Sequence, residues 1–328
     1  MESSLLQKTT HQIQYNISSS ELYLKEMDST SDMAQYLLRI YTPKQHRPGG
    51  YPVLVYTHGG GWVLNHIDVY DSFCRKMSEK GFVVVSVGYR KAPENVFPAC
   101  LNDLLNALTW VGKNLRDEKY NANLNQLTVS GDSAGGHITS HALVRLLMAD
   151  QEIVKKEQIP KIHQQALFYP ALHYYPANRT KFESYKLFGD FGFVLDSPVL
   201  EKFWRYLLGT QVSDEEAAAN PYFSVMSALD TRDPDARAKV YSKLPGGFVI
   251  TAEYDILRDE AAEFARVVTE ASNGTSTLKH FRTPKVVHGF AQFPSDDMAN
   301  NFAALIKSFF VSSTPSTTTE QQTTTQQS

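Results

Sequence analysis

The sequence predicts an α/β fold: a mostly parallel sheet of eight strands, helices on both faces, and a helical cap inserted late in the chain. Three observations carry this. Between residues 52 and 310, short apolar or β-branched runs alternate with longer segments whose apolar residues recur at helical spacing. Strands joined by helices of that length pair in parallel and are covered on both faces. One junction, residues 127–138, passes from strand to helix through Gly131-Asp132-Ser133-Ala134-Gly135, which leaves room only for a sharp turn. The alternation then lapses once, over residues 173–241, where no strand pattern is found but aromatics such as Tyr174, Tyr185, Phe203 and Trp204 abound. A stretch that long needs structure of its own, and an active-site lid is the usual one.

In chain order, residues up to 14 are polar and weakly patterned, with room for one short helix. Two strand-like runs, 15–23 and 35–41, flank the polar Asp28-Ser29-Thr30-Ser31-Asp32 and read as an antiparallel pair at a sheet edge. Pro48-Gly49-Gly50 turns the chain into 52–57, whose Val53-Leu54-Val55 core suits a fully buried strand. Residues 67–80 are amphipathic, and the valine-rich run 82–87 is a second buried strand. Over 98–115, Leu101, Leu104, Leu105, Leu108 and Val111 fall on one helical face. The helix after the sharp turn runs to 148. Strands follow at 166–169, 248–252 and 278–281, with a helix over 257–271 and a last one over 298–310. The charged stretch 232–243 reads as a surface connection. Residues 1–311 are expected to form one domain. The tail 312–328, almost wholly Ser, Thr, Gln, Pro and Glu, cannot bury enough apolar surface to order itself and is expected to be disordered.

Composition excludes several classes of function. The chain has 328 residues, 42% hydrophobic and 20% charged, with a net charge of −3 and no basic cluster. Nucleic acid and anionic membrane surfaces are therefore not expected partners. No apolar run is long enough to span a bilayer, and Met1-Glu2-Ser3-Ser4 opens no secretory signal. Cys74 and Cys100, the only cysteines, are too few for a disulfide framework and are expected to be buried and reduced. A cytoplasmic location is expected.

Gly-x-Ser-x-Gly is weak alone, since it recurs by chance in roughly one chain in ten of this length. Its strand-to-helix context, with Ser133 at the tip of the turn, is what gives it meaning. Attack by a serine also needs a base, a group that orients the base, and donors for the oxyanion. Each has a candidate where a strand has just ended. His58-Gly59-Gly60-Gly61-Trp62 follows the 52–57 strand, and its glycines leave backbone N–H groups unhindered. His288 lies in the loop after the last strand, and is preferred among ten histidines for that position. Asp255 follows the 248–252 strand by three residues. It is preferred over Asp259, which already belongs to the next helix, and over Glu253, which is too close to the strand end. His137 and His141 stand four apart on the helix after Ser133, but no third ligand is evident, so no metal is expected.

The combination of His58-Gly59-Gly60-Gly61, Tyr89-Arg90 with Ala92-Pro93-Glu94, Phe97-Pro98-Ala99, Gly131-Asp132-Ser133-Ala134-Gly135-Gly136, Asp255 with Leu257-Arg258-Asp259-Glu260, and His288-Gly289-Phe290 resembles the hormone-sensitive-lipase-like branch of the α/β-hydrolase fold family. That branch includes arylacetamide deacetylases and many carboxylesterases, and the resemblance spans about residues 38–310. It implies Ser133 as nucleophile, His288 as base and Asp255 as its orienter. It implies an oxyanion hole of the Gly60, Gly61 and Ala134 amides, a cap over 173–241, and no cofactor. The expected substrate is a small to medium uncharged ester with an apolar acyl or aryl part, contacted by Trp62 and His58. Ile256, Lys91 and Gly88 depart from the family's usual proline, leucine and acid. The short stretch before the first core strand implies a pocket more open on that side. Two alternatives remain: an amidase or deacetylase using the same three residues, and a non-catalytic receptor of the kind that binds gibberellin, which has lost the histidine retained here as His288. A homodimer is left open.

Overall fold

In a computed structural model of the chain, the described residues are 17–25, 35–149, 151–190, 193–209, 212–219, 223–226, 240–272 and 276–312. Eight strands form one sheet: β1 (Ile17–Lys25), β2 (Gln35–Pro43), β3 (Tyr51–Thr57), β4 (Val83–Gly88), β5 (Ala122–Asp132), β6 (Gln164–Phe168), β7 (Gly247–Tyr254) and β8 (Leu278–Val287). Their order is β1-β2-β4-β3-β5-β6-β7-β8. β1 and β2 are antiparallel to their neighbours, and β4-β3-β5-β6-β7-β8 are parallel. The central strands are apolar on both faces because helices cover both. Val53 and Val55 of β3 join one core, Leu54 and Tyr56 the other, as the two-residue strand period requires.

The first core is closed by α2 (Ala99–Asn114) and α3 (Ala134–Met148), and the second by α1 (Asp71–Glu79), through Phe73 and Met77. The short α4 (Gln151–Lys156) leads to β6. Between β6 and β7 stand α5 (Tyr175–Asn178), α6 (Glu183–Phe188), α7 (Ser197–Leu208) and α8 (Asp214–Ala219). After β7 comes α9 (Arg258–Ala271) on the first core, and after β8 comes α10 (Asp296–Ser312), whose Phe302 and Ile306 complete the second. The interval 173–241 thus carries helices joined by turns, and no strand, among its described residues. No helix among the described residues is long and apolar enough to cross a membrane.

Three elements differ from expectation. β5 begins at Ala122, upstream of the predicted run, because its first half is the polar Ala122-Asn123-Leu124-Asn125-Gln126, which lacks a strand's apolar signal. β8 continues to Val287 as a largely exposed edge strand, so Lys279, Arg282 and Lys285 masked its length. Tyr241, placed by the sequence in a surface connection, is fully buried with its ring 6.4 Å from that of Phe264. Residues 232–239 of that connection, the expected helix before residue 15, the Asp28–Asp32 turn, the pocket's openness toward the N-terminal segment, and the tail beyond 312 lie outside the described residues.

Candidate active site

The turn between β5 and α3 consists of Ser133 alone. Its φ of 53° and ψ of −121° are unfavourable for a residue with a side chain, at a cost of about 1–3 kcal/mol. Packing holds it there. Its amide donates to Phe168 O at 2.9 Å, and α3 crosses the end of β3 so closely that a Cβ at Gly135 would collide with the Thr57 carbonyl oxygen. Ala134, as the first helical residue, has no intrahelical acceptor for its N–H.

β7 and β8 end side by side, so Asp255 and His288 each follow directly on a strand end. His288 Nδ1 is 2.8 Å from Asp255 Oδ2, and His288 Nε2 is 2.9 Å from Ser133 Oγ. A carboxylate only accepts, so the proton sits on Nδ1 and leaves the Nε2 lone pair facing the serine hydroxyl. Asp255 is 1% exposed, and its other oxygen accepts from Leu257 N at 2.9 Å. The competing acids point elsewhere: Asp259 pairs with Arg258 and accepts from Ser184 N, while Glu253 accepts from Lys285 N.

Ser133 and His288 open onto a cavity of about 290 Å³, bordered also by Gly60, Gly61 and Ala134. Leu195, Val199, Leu200 and Phe203, from α7 and the residues before it, form the opposite wall. Trp62 borders this cavity too, but it is 1% exposed. Its indole N–H donates to His137 Nδ1 at 3.1 Å and its ring packs 4.5 Å from Trp204. It shapes the wall from behind.

His58 does not reach the cavity, which corrects its assignment to substrate contact. It is fully buried between the rings of Tyr70 and Tyr89, and burial lowers its pKa to about 3, so it is neutral. The physical reason is the direction of the loop. The chain turns sharply at Gly60 (φ 125°) and Gly61 (φ 60°), so these residues border the cavity while the His58 side chain before them packs inward.

Beneath this loop lies Asp132, a residue the sequence had marked only as part of the turn motif. Its carboxylate accepts from Gly59 N, Tyr56 OH and Tyr70 OH, each at 2.8 Å, and burial pushes its pKa up to about 6 against those bonds. The contact is close, because a Cβ at Gly59 would strike the Asp132 carboxylate. Tyr56 and Tyr70 are more than sixty residues away in sequence, so only the structure could bring them together. His137 has both ring nitrogens engaged: Nδ1 accepts from Trp62 and Nε2 donates to Phe223 O at 3.0 Å. Neither is left free to ligate a metal. Among the described residues no group of three His, Cys, Asp or Glu could hold one.

Glu260, also missed by sequence reasoning, ties the Asp255 loop to the helical insertion. Fully buried, it accepts from Leu172 N at 2.7 Å and meets the Tyr185 hydroxyl. Burial raises its pKa from 4.5 to about 8. Between those values the unfolded chain has lost this proton and the native protein has kept it. This contribution to stability is therefore full below about pH 4.5 and is lost as pH rises to about 8. Glu260→Gln keeps the shape of the protonated acid and removes that dependence. In thermal melts at pH 5 and 8, the wild type should lose on the order of 5 °C more than the variant. Parallel curves would show that Glu260 ionises in the native state.

A strained serine between strand and helix, a histidine and a buried aspartate in line with it, and a glycine-rich loop across a cavity define a serine hydrolase. The profile of the α/β-hydrolase fold matches residues 54–292, and the chain belongs to that family, in its hormone-sensitive-lipase-like branch. It is 33% identical to carboxylesterase NlhH of Mycobacterium tuberculosis over 78% of this chain and 71% of the relative. It is 29% identical to an arylacetamide deacetylase of Oryctolagus cuniculus over 77% and 71%. Among solved structures, a fungal esterase of Rhizomucor miehei superposes with a TM-score of 0.73 at 25% identity, over 91% of this chain and 85% of the other.

Proposed function

We propose that the protein hydrolyses small, uncharged carboxylic esters through an acyl-enzyme. Ser133 Oγ attacks the ester carbonyl while His288 Nε2 takes its proton, and Asp255 holds the imidazole and offsets its charge. The tetrahedral oxyanion is held by the amides of Gly60, Gly61 and Ala134. His288 then returns the proton to the departing alcohol. Water, deprotonated by His288, attacks the acyl group, releases the acid and restores Ser133. The observation that carries this reading is the unbroken line Asp255–His288–Ser133, at 2.8 and 2.9 Å, whose Ser133 and His288 line a cavity that Gly60, Gly61 and Ala134 also border.

The substrate class follows from the wall. Apart from His288 the cavity carries no ionisable side chain among the described residues, so a charged acyl group or a free acid has no partner there. At about 290 Å³ it lies at the small end of ligand pockets, about 300–1,000 Å³. The described part of the 173–241 interval acts as the cap, its Leu195, Val199, Leu200 and Phe203 supplying the apolar wall. In a p-nitrophenyl ester series from acetate to palmitate, kcat/KM should be highest for short acyl chains and fall at least about tenfold by palmitate. A maximum at palmitate would show that the cap opens to admit a long chain. Amide cleavage at the same residues is the second reading, favoured by the likeness to an arylacetamide deacetylase. An anilide assayed beside its ester isostere separates them, with the ester expected to be the faster. The two free buried thiols, Cys74 and Cys100, suit a reducing, cytoplasmic setting.

A further inference from the structure

An amide N–H becomes a stronger donor when its own carbonyl accepts hydrogen bonds, because resonance couples the two ends of the peptide unit. Each of the three amides assigned to the oxyanion belongs to a peptide whose carbonyl accepts two. The Gly60 N–H shares its peptide with Gly59 O, which lies 2.8 Å from His58 Nδ1 and 3.3 Å from Asn65 Nδ2. The Gly61 N–H shares its peptide with Gly60 O, which accepts from Val63 N at 3.1 Å and Leu64 N at 2.7 Å. The Ala134 N–H shares its peptide with Ser133 O, which accepts from His137 N at 3.1 Å and Ala171 N at 3.3 Å.

Four of these six donors are backbone, fixed by the fold. The two side chains both act on Gly59 O. His58 is sealed in the interior, whereas Asn65 is half-buried and borders the cavity itself. Asn65 has a φ of 68°, a conformation asparagine tolerates better than most residues, and its carboxamide reaches back across the turn to Gly59. We propose that Asn65 is a positioning residue for oxyanion stabilisation: its carboxamide orients and polarises the Gly59–Gly60 peptide, so that the Gly60 N–H meets the charge developing on the substrate oxygen. This rests on the ester-hydrolysis reading above.

Two substitutions test it in the full chain. Asn65→Gly keeps the backbone conformation and deletes the donor, and Asn65→Asp places an acceptor against Gly59 O. On p-nitrophenyl butyrate, kcat should fall about tenfold in Asn65→Gly and further in Asn65→Asp, with KM within about twofold of wild type. Affinity for an alkyl trifluoromethyl ketone, which adds to Ser133 and forms the oxyanion, should weaken by the same factor as kcat. In glycine-¹⁵N-labelled protein the Gly60 amide proton should move upfield while that of Gly61 stays in place. Wild-type kcat in both variants, or an unmoved Gly60 resonance, overturns the proposal. So does a loss of kcat that leaves ketone affinity unchanged. Should Asn65→Gly fail to fold, Asn65→Asp and Asn65→Ser, which lacks the reach to Gly59 O, carry the same comparison. If the wild type turns over no ester, the hydrolysis reading fails by itself, and the Gly60 resonance still decides the role of Asn65.

Discussion

Ser133→Ala is expected to lower kcat on any accepted ester by about 10⁵–10⁶-fold and to abolish fluorophosphonate labelling, with the fold intact. The size follows from covalent catalysis. With the hydroxyl gone, only direct attack by water remains, assisted by whatever the three amides and the cavity supply. The methyl of alanine fits wherever the serine Cβ already stands, so the melting temperature should hold or rise slightly. His288→Ala should cost a similar factor, because the alcohol left behind is a poor nucleophile without a base 2.9 Å away. The double variant should be scarcely worse than either single one, since the two act as one unit. Steady-state kinetics on p-nitrophenyl butyrate with labelling in parallel reads all three. Turnover in Ser133→Ala above about a hundredth of wild type, where removing the nucleophile should cost far more, would move the chemistry to another residue.

Asp132→Ala is expected to be the most damaging single change away from the reacting groups. It strips the acceptor from three buried donors at once, Gly59 N–H, Tyr56 OH and Tyr70 OH. Each orphaned donor costs about 1–3 kcal/mol, so a loss of roughly 3–9 kcal/mol is expected in urea unfolding. The damage should extend to the reaction, because Gly59 anchors the loop that carries Gly60 and Gly61. Below the denaturation midpoint kcat should fall more than about tenfold, with a smaller change in KM. Asp132→Asn keeps the shape and one acceptor oxygen and should recover part of both losses. An Asp132→Ala protein as stable and active as wild type would mean that the loop is held by the backbone alone.

Much of this was legible in the chain itself. The eight strands and their alternation with helices follow from apolar periodicity, which is strong because the central strands are covered on both faces. The turn at Ser133 was legible because tight backbone geometry demands glycine at fixed offsets. Asp255 and His288 stood out because each lies just past a strand-like run, and the two strand ends are indeed adjacent in the sheet. Local sequence failed where the signal was cancelled. The polar start of β5 and the charged edge strand β8 make hydrogen bonds that side-chain pattern does not record, and a glycine-loop histidine carried no mark of which way it would face.

By itself, then, the sequence determined the fold class, the strained serine and the residue types able to serve it, because these are properties of short segments with strong local constraints. Tertiary structure alone decided which groups meet. It turned His58 into the interior, set Asp132 under the Gly59 amide, and brought Asn65 back onto the Gly59 carbonyl. The reason is distance along the chain. Asp132 meets tyrosines 62 and 76 residues away, and no local pattern encodes a contact that depends on where two strands and a loop have been carried by the packing of everything between them.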